Sequence, residues 1–135
     1  MVMPTIFSRI VAGELPSHQI AQSTDFYAFL DIRPVTMGHT LVIPKIEVDE
    51  FFDLDEEILA QMMVFARPIA QALKEVTQCV RVGAVVAGFD VPHAHLHLIP
   101  TNEMADLDFS RARSVPSEQL AEIALKVRER LARRA

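Results

Sequence analysis

The sequence predicts an α+β fold: a mainly antiparallel five-stranded sheet with a long central helix, a short N-terminal helix and a C-terminal helix. Two observations carry this. Five short apolar runs are cut off by Pro, Gly or polar residues, most of them joined by links too short for parallel crossovers. One long stretch, Asp55 to about Val76, repeats its apolar residues at steps of three and four, the period of a helix.

In chain order, Thr5 is placed to cap a short helix whose apolar face is Ile6, Phe7, Ile10 and Val11; Gly13 ends it and Pro16 prevents its continuation. His18–Gln22 reads as the first strand and Phe26–Ile32 as the second, with Asp25 at its start and Asp31 near its end. Pro34 forces a turn, Gly38 releases the chain into a third strand, His39–Ile43, and Pro44 stops it. In the long helix, Ile58, Met62, Phe65, Ile69, Leu73 and Val76 form one stripe, widened by Leu59, Met63, Ala66 and Ala70. So wide an apolar surface calls for two partners, its own sheet and a second subunit, and a homodimer is expected. Pro68 inside it should introduce a kink. Val80–Ala87 is the fourth strand and Pro92–Pro100 contains the fifth. After a polar, irregular stretch, Ser114 or Ser117 is expected to cap a last helix with the stripe Leu120, Ile123, Val127 and Leu131. Residues 1–135 thus read as one domain, with its core over about 5–100 and a C-terminal extension over about 101–135.

A net charge of −5 argues against nucleic-acid binding, which favours a basic face, but leaves room for a single nucleotide. No apolar run has the length of a membrane span, and Met1-Val2-Met3-Pro4 lacks the basic and apolar regions of a secretory signal. With a single cysteine, Cys79, the expected location is the cytoplasm.

The chemistry concentrates in His93-Ala94-His95-Leu96-His97-Leu98. On a strand, alternate side chains share a face, so Ala94, Leu96 and Leu98 point to a core and the three imidazoles point the other way. Three readings are open. The first is a water-facing sheet face. The second is a metal site, although alternate strand positions lie about 6.6 Å apart and the outer two histidines about 13 Å, too far for one ion to take all three. The third is phosphate chemistry, with one imidazole as nucleophile and its neighbours orienting it and donating to phosphate oxygens.

The run HAHLHLIP resembles the His-φ-His-φ-His-φ-φ signature of the histidine triad (HIT) proteins, φ being apolar. TIFSRIVAGELP is similar to that family's opening helix and turn, and FLDIRPVTMGHTLVIPK to its second and third strands, so the likeness covers most of residues 5–100 in order. It is nearest to the nucleoside phosphoramidase-like (HINT-like) branch, whose members are homodimers, and implies a HIT-like fold.

The resemblance implies the following roles. His95 matches the nucleophile that takes the nucleotidyl group. His97 matches the residue beside the phosphate oxygens and leaving group, and His93 a supporting one. His39 matches a histidine that hydrogen-bonds the nucleophile. Asp31 matches the acid that accepts from the ribose hydroxyls. Ile6, Phe7, Ile10, Phe29 and Ile32 match the walls around the base. The implied activity is hydrolysis or transfer at the α-phosphate of a purine nucleotide derivative, such as a nucleoside phosphoramidate, through a nucleotidyl-histidine intermediate and without a cofactor. Two other readings stand beside it: a nucleotide- or partner-binding module with little catalysis, and a dinucleoside polyphosphate hydrolase.

The chain departs from the pattern just before the triad. Val86–Pro92 is shorter than the family's polar loop and lacks its Asn, Gln and Ser; Gly88 is its remaining flexible point, assigned to the nucleotide site. Asp90 adds a negative charge expected to weaken phosphate binding. Ser8 stands where some members place a zinc-binding cysteine, so no metal is expected.

Overall fold

A computed structural model describes residues 3–134. Helix α1 (Ile6–Val11) is followed by strands β1 (Gln19–Gln22), β2 (Phe26–Leu30) and β3 (Thr40–Pro44), helix α2 (Glu56–Thr77), strands β4 (Arg81–Val85) and β5 (Leu96–Thr101), and helix α3 (Ser117–Arg134). The strands form one sheet in the order β1-β2-β3-β5-β4, every neighbouring pair antiparallel. This is the α+β architecture read from the sequence.

Local chemistry sets the element ends. The Thr5 hydroxyl accepts from Ser8 N–H at the start of α1, and the Asp55 carboxylate accepts from Ile58 N–H at the start of α2. Helix α2 runs through Pro68, which lies on its exposed side, and ends at Gln78 in the left-handed region. Helix α3 opens without either predicted serine cap. The Pro116 carbonyl takes Gln119 N–H and Leu120 N–H, while the Ser117 hydroxyl pairs with His18 Nε2 at 3.3 Å.

The second strand stops two residues earlier than predicted. Asp31 Oδ1 accepts from Arg33 N–H at 2.9 Å, an Asx turn that bends the chain away from the sheet and leaves Ile32 exposed. Gly38 has a φ of 95°, and a Cβ there would meet Pro100 and Thr77 at 3.1 Å, which explains glycine at this turn.

Strands β2, β3 and β5 are buried along their whole length because both sheet faces are covered. On one face α2 and α3 pack Met62, Ile69, Leu73, Leu120 and Val127 against Ala28, Leu30, Val42, Leu96 and Leu98. On the other, a smaller cluster of Phe7, Tyr27, Phe29, Leu41 and Ile43 lies beneath α1 and Val91. That second face holds the histidines. No helix among the described residues is long and apolar enough to cross a membrane.

Candidate active site

The alternation predicted around the triad holds in direction. Ala94, Leu96 and Leu98 belong to the helix-side core, while the imidazoles turn to the α1 side. Two features differ from expectation. Only His97 lies within β5; His93 and His95 precede it, where Ala94 N–H bonds the Val48 carbonyl instead of a neighbouring strand. The imidazoles are also buried, with His93, His95 and His97 at 0%, 1% and 2% exposure, because α1 and the loop before the triad cover them.

Each ring is held by partners that dictate its tautomer, since a carbonyl only accepts and a backbone N–H only donates. His93 Nε2–H donates to the Pro44 carbonyl at 2.8 Å, so its Nδ1 is the acceptor for the Thr5 hydroxyl, also at 2.8 Å. Thr5 thereby caps α1 and fastens it to the triad. His95 Nδ1–H donates to the His93 carbonyl at 2.7 Å, which leaves Nε2 facing Asp90 Oδ1 at 3.1 Å. His39 Nδ1 accepts from Val35 N–H at 3.1 Å, so His39 Nε2–H donates to His97 Nδ1 at 2.9 Å. His97 is then left with Nε2–H as a donor.

The expectation that His39 bonds the nucleophile is therefore corrected: its partner is His97, because the His93 carbonyl already occupies Nδ1 of His95. Burial pushes His39 and His97 down to about 4, and it lowers His93 too, so these three rings are neutral at pH 7.

Two cavities meet at Asp31, Ile32 and Asp90, and His97 lines the second of them. The first, of about 370 Å³, is lined by Ile6, Phe7, Ile10, Phe29, Asp31 and Ile32, all six of them expected at the nucleotide, together with Asp90 and Val91. The second, of about 580 Å³, is more polar and holds Arg33, His39, His97, Phe109 and Ser110; Asp31 and Asp90 border both. Burial raises the Asp31 carboxyl, opposed by the Arg33 N–H bond, and its Oδ2 lies 3.8 Å from His39 Nε2. Gly88 is not in either cavity. It lines a crevice of about 40 Å³ with Ala87, Ala94 and His95, because Asp90 and Val91, not the loop apex, face the cleft.

Phe109 was not anticipated. Its ring stands edge-on 4.9 Å from His97 and 6.1 Å from His39. The segment carrying it is clipped to the turn after β2 by Arg33 Nη2 donating to the Ala112 carbonyl and Arg113 N–H to the Pro34 carbonyl. A lone aromatic residue in a mainly polar stretch was the available signal.

Asp31, His39 and His97, and likewise Asp90, His95 and His97, bring ligand atoms within 4.8 Å of one another. Neither set suits a metal. His39 spends its Nδ1 lone pair on Val35 N–H, and the chain that follows puts hydrogen on His97 Nε2, so His97 offers no free lone pair.

An open antiparallel sheet that presents an apolar cleft beside clustered imidazoles has the arrangement of the histidine triad class. The HIT domain model matches residues 12–104, and the chain belongs to that family. It is 31% identical over 129 residues to the adenosine 5'-monophosphoramidase HNT1 of Saccharomyces cerevisiae, covering 87% of this chain and 82% of that protein. It superposes on a Zn-bound histidine triad family protein from Mycobacterium smegmatis with a TM-score of 0.82 and 32% identity, covering 95% and 93% of the two chains. A hypothetical histidine triad nucleotide-binding protein from Sulfolobus tokodaii gives a TM-score of 0.84 at 26% identity, covering 94% and 91%.

Proposed function

We propose that the protein hydrolyses or transfers at the α-phosphate of purine nucleotide derivatives, nucleoside phosphoramidates foremost, with His95 as nucleophile. The observation that carries this is the lock on His95: with Nδ1–H fixed on its neighbour's carbonyl, Nε2 lies 3.1 Å from Asp90, a residue that borders both the apolar and the polar cavity. The base enters the apolar cleft between Ile6, Phe7 and Ile10 and the pair Phe29 and Ile32. The ribose hydroxyls donate to Asp31, whose partly exposed carboxylate borders both cavities.

The Nε2 lone pair attacks the α-phosphorus and forms a P–N bond. The bond to the leaving group breaks, its electron pair departs with that group, and the group takes up a proton. His97 Nε2–H donates to a phosphoryl oxygen. Water then attacks the phosphorus, the P–Nε2 bond returns its pair to His95, and a nucleoside monophosphate is released. Gly88 stays outside this scheme; its φ of 85° serves the loop instead. His95→Asn tests the assignment: turnover of adenosine 5'-phosphoramidate should fall by at least a thousandfold, and a variant of full activity would sink it.

We also infer a homodimer. Helix α2 leaves Met63 52% and Val64 63% exposed, Val80 is 58% exposed just before β4, and β4 forms a sheet edge. These surfaces together suit a second copy of the chain. Sedimentation should give twice the chain mass, and Val64→Glu should shift it toward one. The purine nucleotides required and the unpaired thiol of Cys79 both fit a cytoplasmic setting.

A further inference from the structure

The loop before the triad places an acid directly on the reactive nitrogen. Asp90 Oδ1 lies 3.1 Å from His95 Nε2, with its own side chain 62% exposed and that of His95 at 0%. A hydrogen bond at this distance needs one hydrogen between Oδ1 and Nε2. His95 Nδ1 carries its own hydrogen, on the His93 carbonyl, so the proton at Nε2 is one that the ring and the Asp90 carboxyl share.

That proton has to leave before Nε2 attacks, and an amine has to gain one to depart. His97 is not its source. The chain from Val35 N–H through His39 leaves His97 with one hydrogen, and losing it would create an imidazolate. Asp90 touches Nε2 and borders the cavity into which a leaving group extends. Its surroundings leave room around it: Phe89 is 99% exposed, and Gly88 turns through a φ of 85° in open space. The other charged groups at that cavity are Asp31, tied to Arg33 N–H, and Arg33, tied to the Ala112 carbonyl.

We propose that Asp90 is a catalytic acid and base of the reaction, a proton carrier between His95 Nε2 and the leaving group. This rests on His95 being the nucleophile. The Nε2 proton passes to the Asp90 carboxylate, giving a neutral imidazole and a carboxylic acid. Nε2 bonds the phosphorus, the P–N bond to the leaving amine breaks, and the departing nitrogen takes the proton, restoring the carboxylate. In the second half, Asp90 takes a proton from the attacking water and returns it to Nε2 as the P–Nε2 bond breaks. Protons balance, and the net reaction consumes one water. The residue that looks like an obstacle to phosphate thus supplies what the rest of the site lacks.

The experiment compares two leaving groups in Asp90→Asn, a substitution that keeps the shape and removes the transferable proton. An amine from adenosine 5'-phosphoramidate needs a proton; fluoride from adenosine 5'-phosphorofluoridate does not. Single-turnover rates of intermediate formation should fall roughly a hundredfold or more with the phosphoramidate and by less than about fivefold with the fluoridate. Because the side chain is exposed, the melting temperature should be kept, and it is measured alongside. Equal losses with both substrates, or a faster phosphoramidate reaction, would overturn the proposal while leaving His95 in place. A parent protein that turns over neither substrate would overturn the functional reading and this proposal together.

Discussion

His39 Nε2–H donates to His97 Nδ1 across 2.9 Å, joining the residue just before β3 to one within β5, 58 positions away in the chain. The register of β3 on β5 brings them together, with Thr40 opposite Leu98 and Leu41 opposite His97. A ring fixed this way keeps Nε2–H aimed at the cavity without drifting between tautomers. His39→Phe should therefore lower kcat on adenosine phosphoramidate roughly tenfold to a hundredfold while leaving KM within about twofold, since the lost orientation matters most to the developing charge. Steady-state kinetics check the split; an unchanged kcat would remove His39 from the working site.

The same burial gives stability a pH dependence of definite sign. His39 and His97 are lowered from 6.5 to about 4 in the folded chain, so the unfolded chain binds their protons first. Their contribution is complete above pH 6.5 and is lost as the pH falls toward 4, beyond which both states are protonated. Melting temperature should decline over that window. His39→Phe should flatten the decline, and an equal slope in the variant would count against the assignment.

Thr5 tests the link between α1 and the triad. Its hydroxyl accepts from Ser8 N–H and donates to His93 Nδ1. Thr5→Ala removes a helix cap and leaves a buried ring nitrogen unpaired, a loss of about 2–3 kcal/mol. Urea midpoints measure it, and a loss under about 0.5 kcal/mol would contradict the contact.

Ile32 separates binding from folding. It is 65% exposed yet lines the apolar cleft. Ile32→Ser should weaken adenosine monophosphate binding several-fold by calorimetry with no change in melting temperature, because the side chain packs against solvent until a base arrives. Unaltered affinity would place the base elsewhere.

Much of this was legible in the residue order. The three- and four-step spacing of α2 and the Pro and Gly punctuation located the elements within a residue or two, save for the start of the fifth strand. The alternation of His and apolar residues fixed which side of the sheet the imidazoles take. What escaped were long-range pairings. Nothing local distinguishes His95 from His97 as the partner of His39, and the choice falls out of strand register plus a carbonyl already in place. The early end of β2 at Leu30 came from the Asp31 carboxylate satisfying Arg33 N–H, a turn that competes with an apolar run. Gly88 was assigned by flexibility, yet the side chains at 90 and 91 reach the cleft and the apex does not.

Phe109 lies beyond residue 104, where the family match stops. The residues matched by the family model therefore carry the imidazoles, while the aromatic wall over His97 comes from the stretch that follows them. The imidazoles and the ring that closes over them thus come from separate stretches of the chain, so the wall can be exchanged by substitution at 109 without touching the strand that carries the triad.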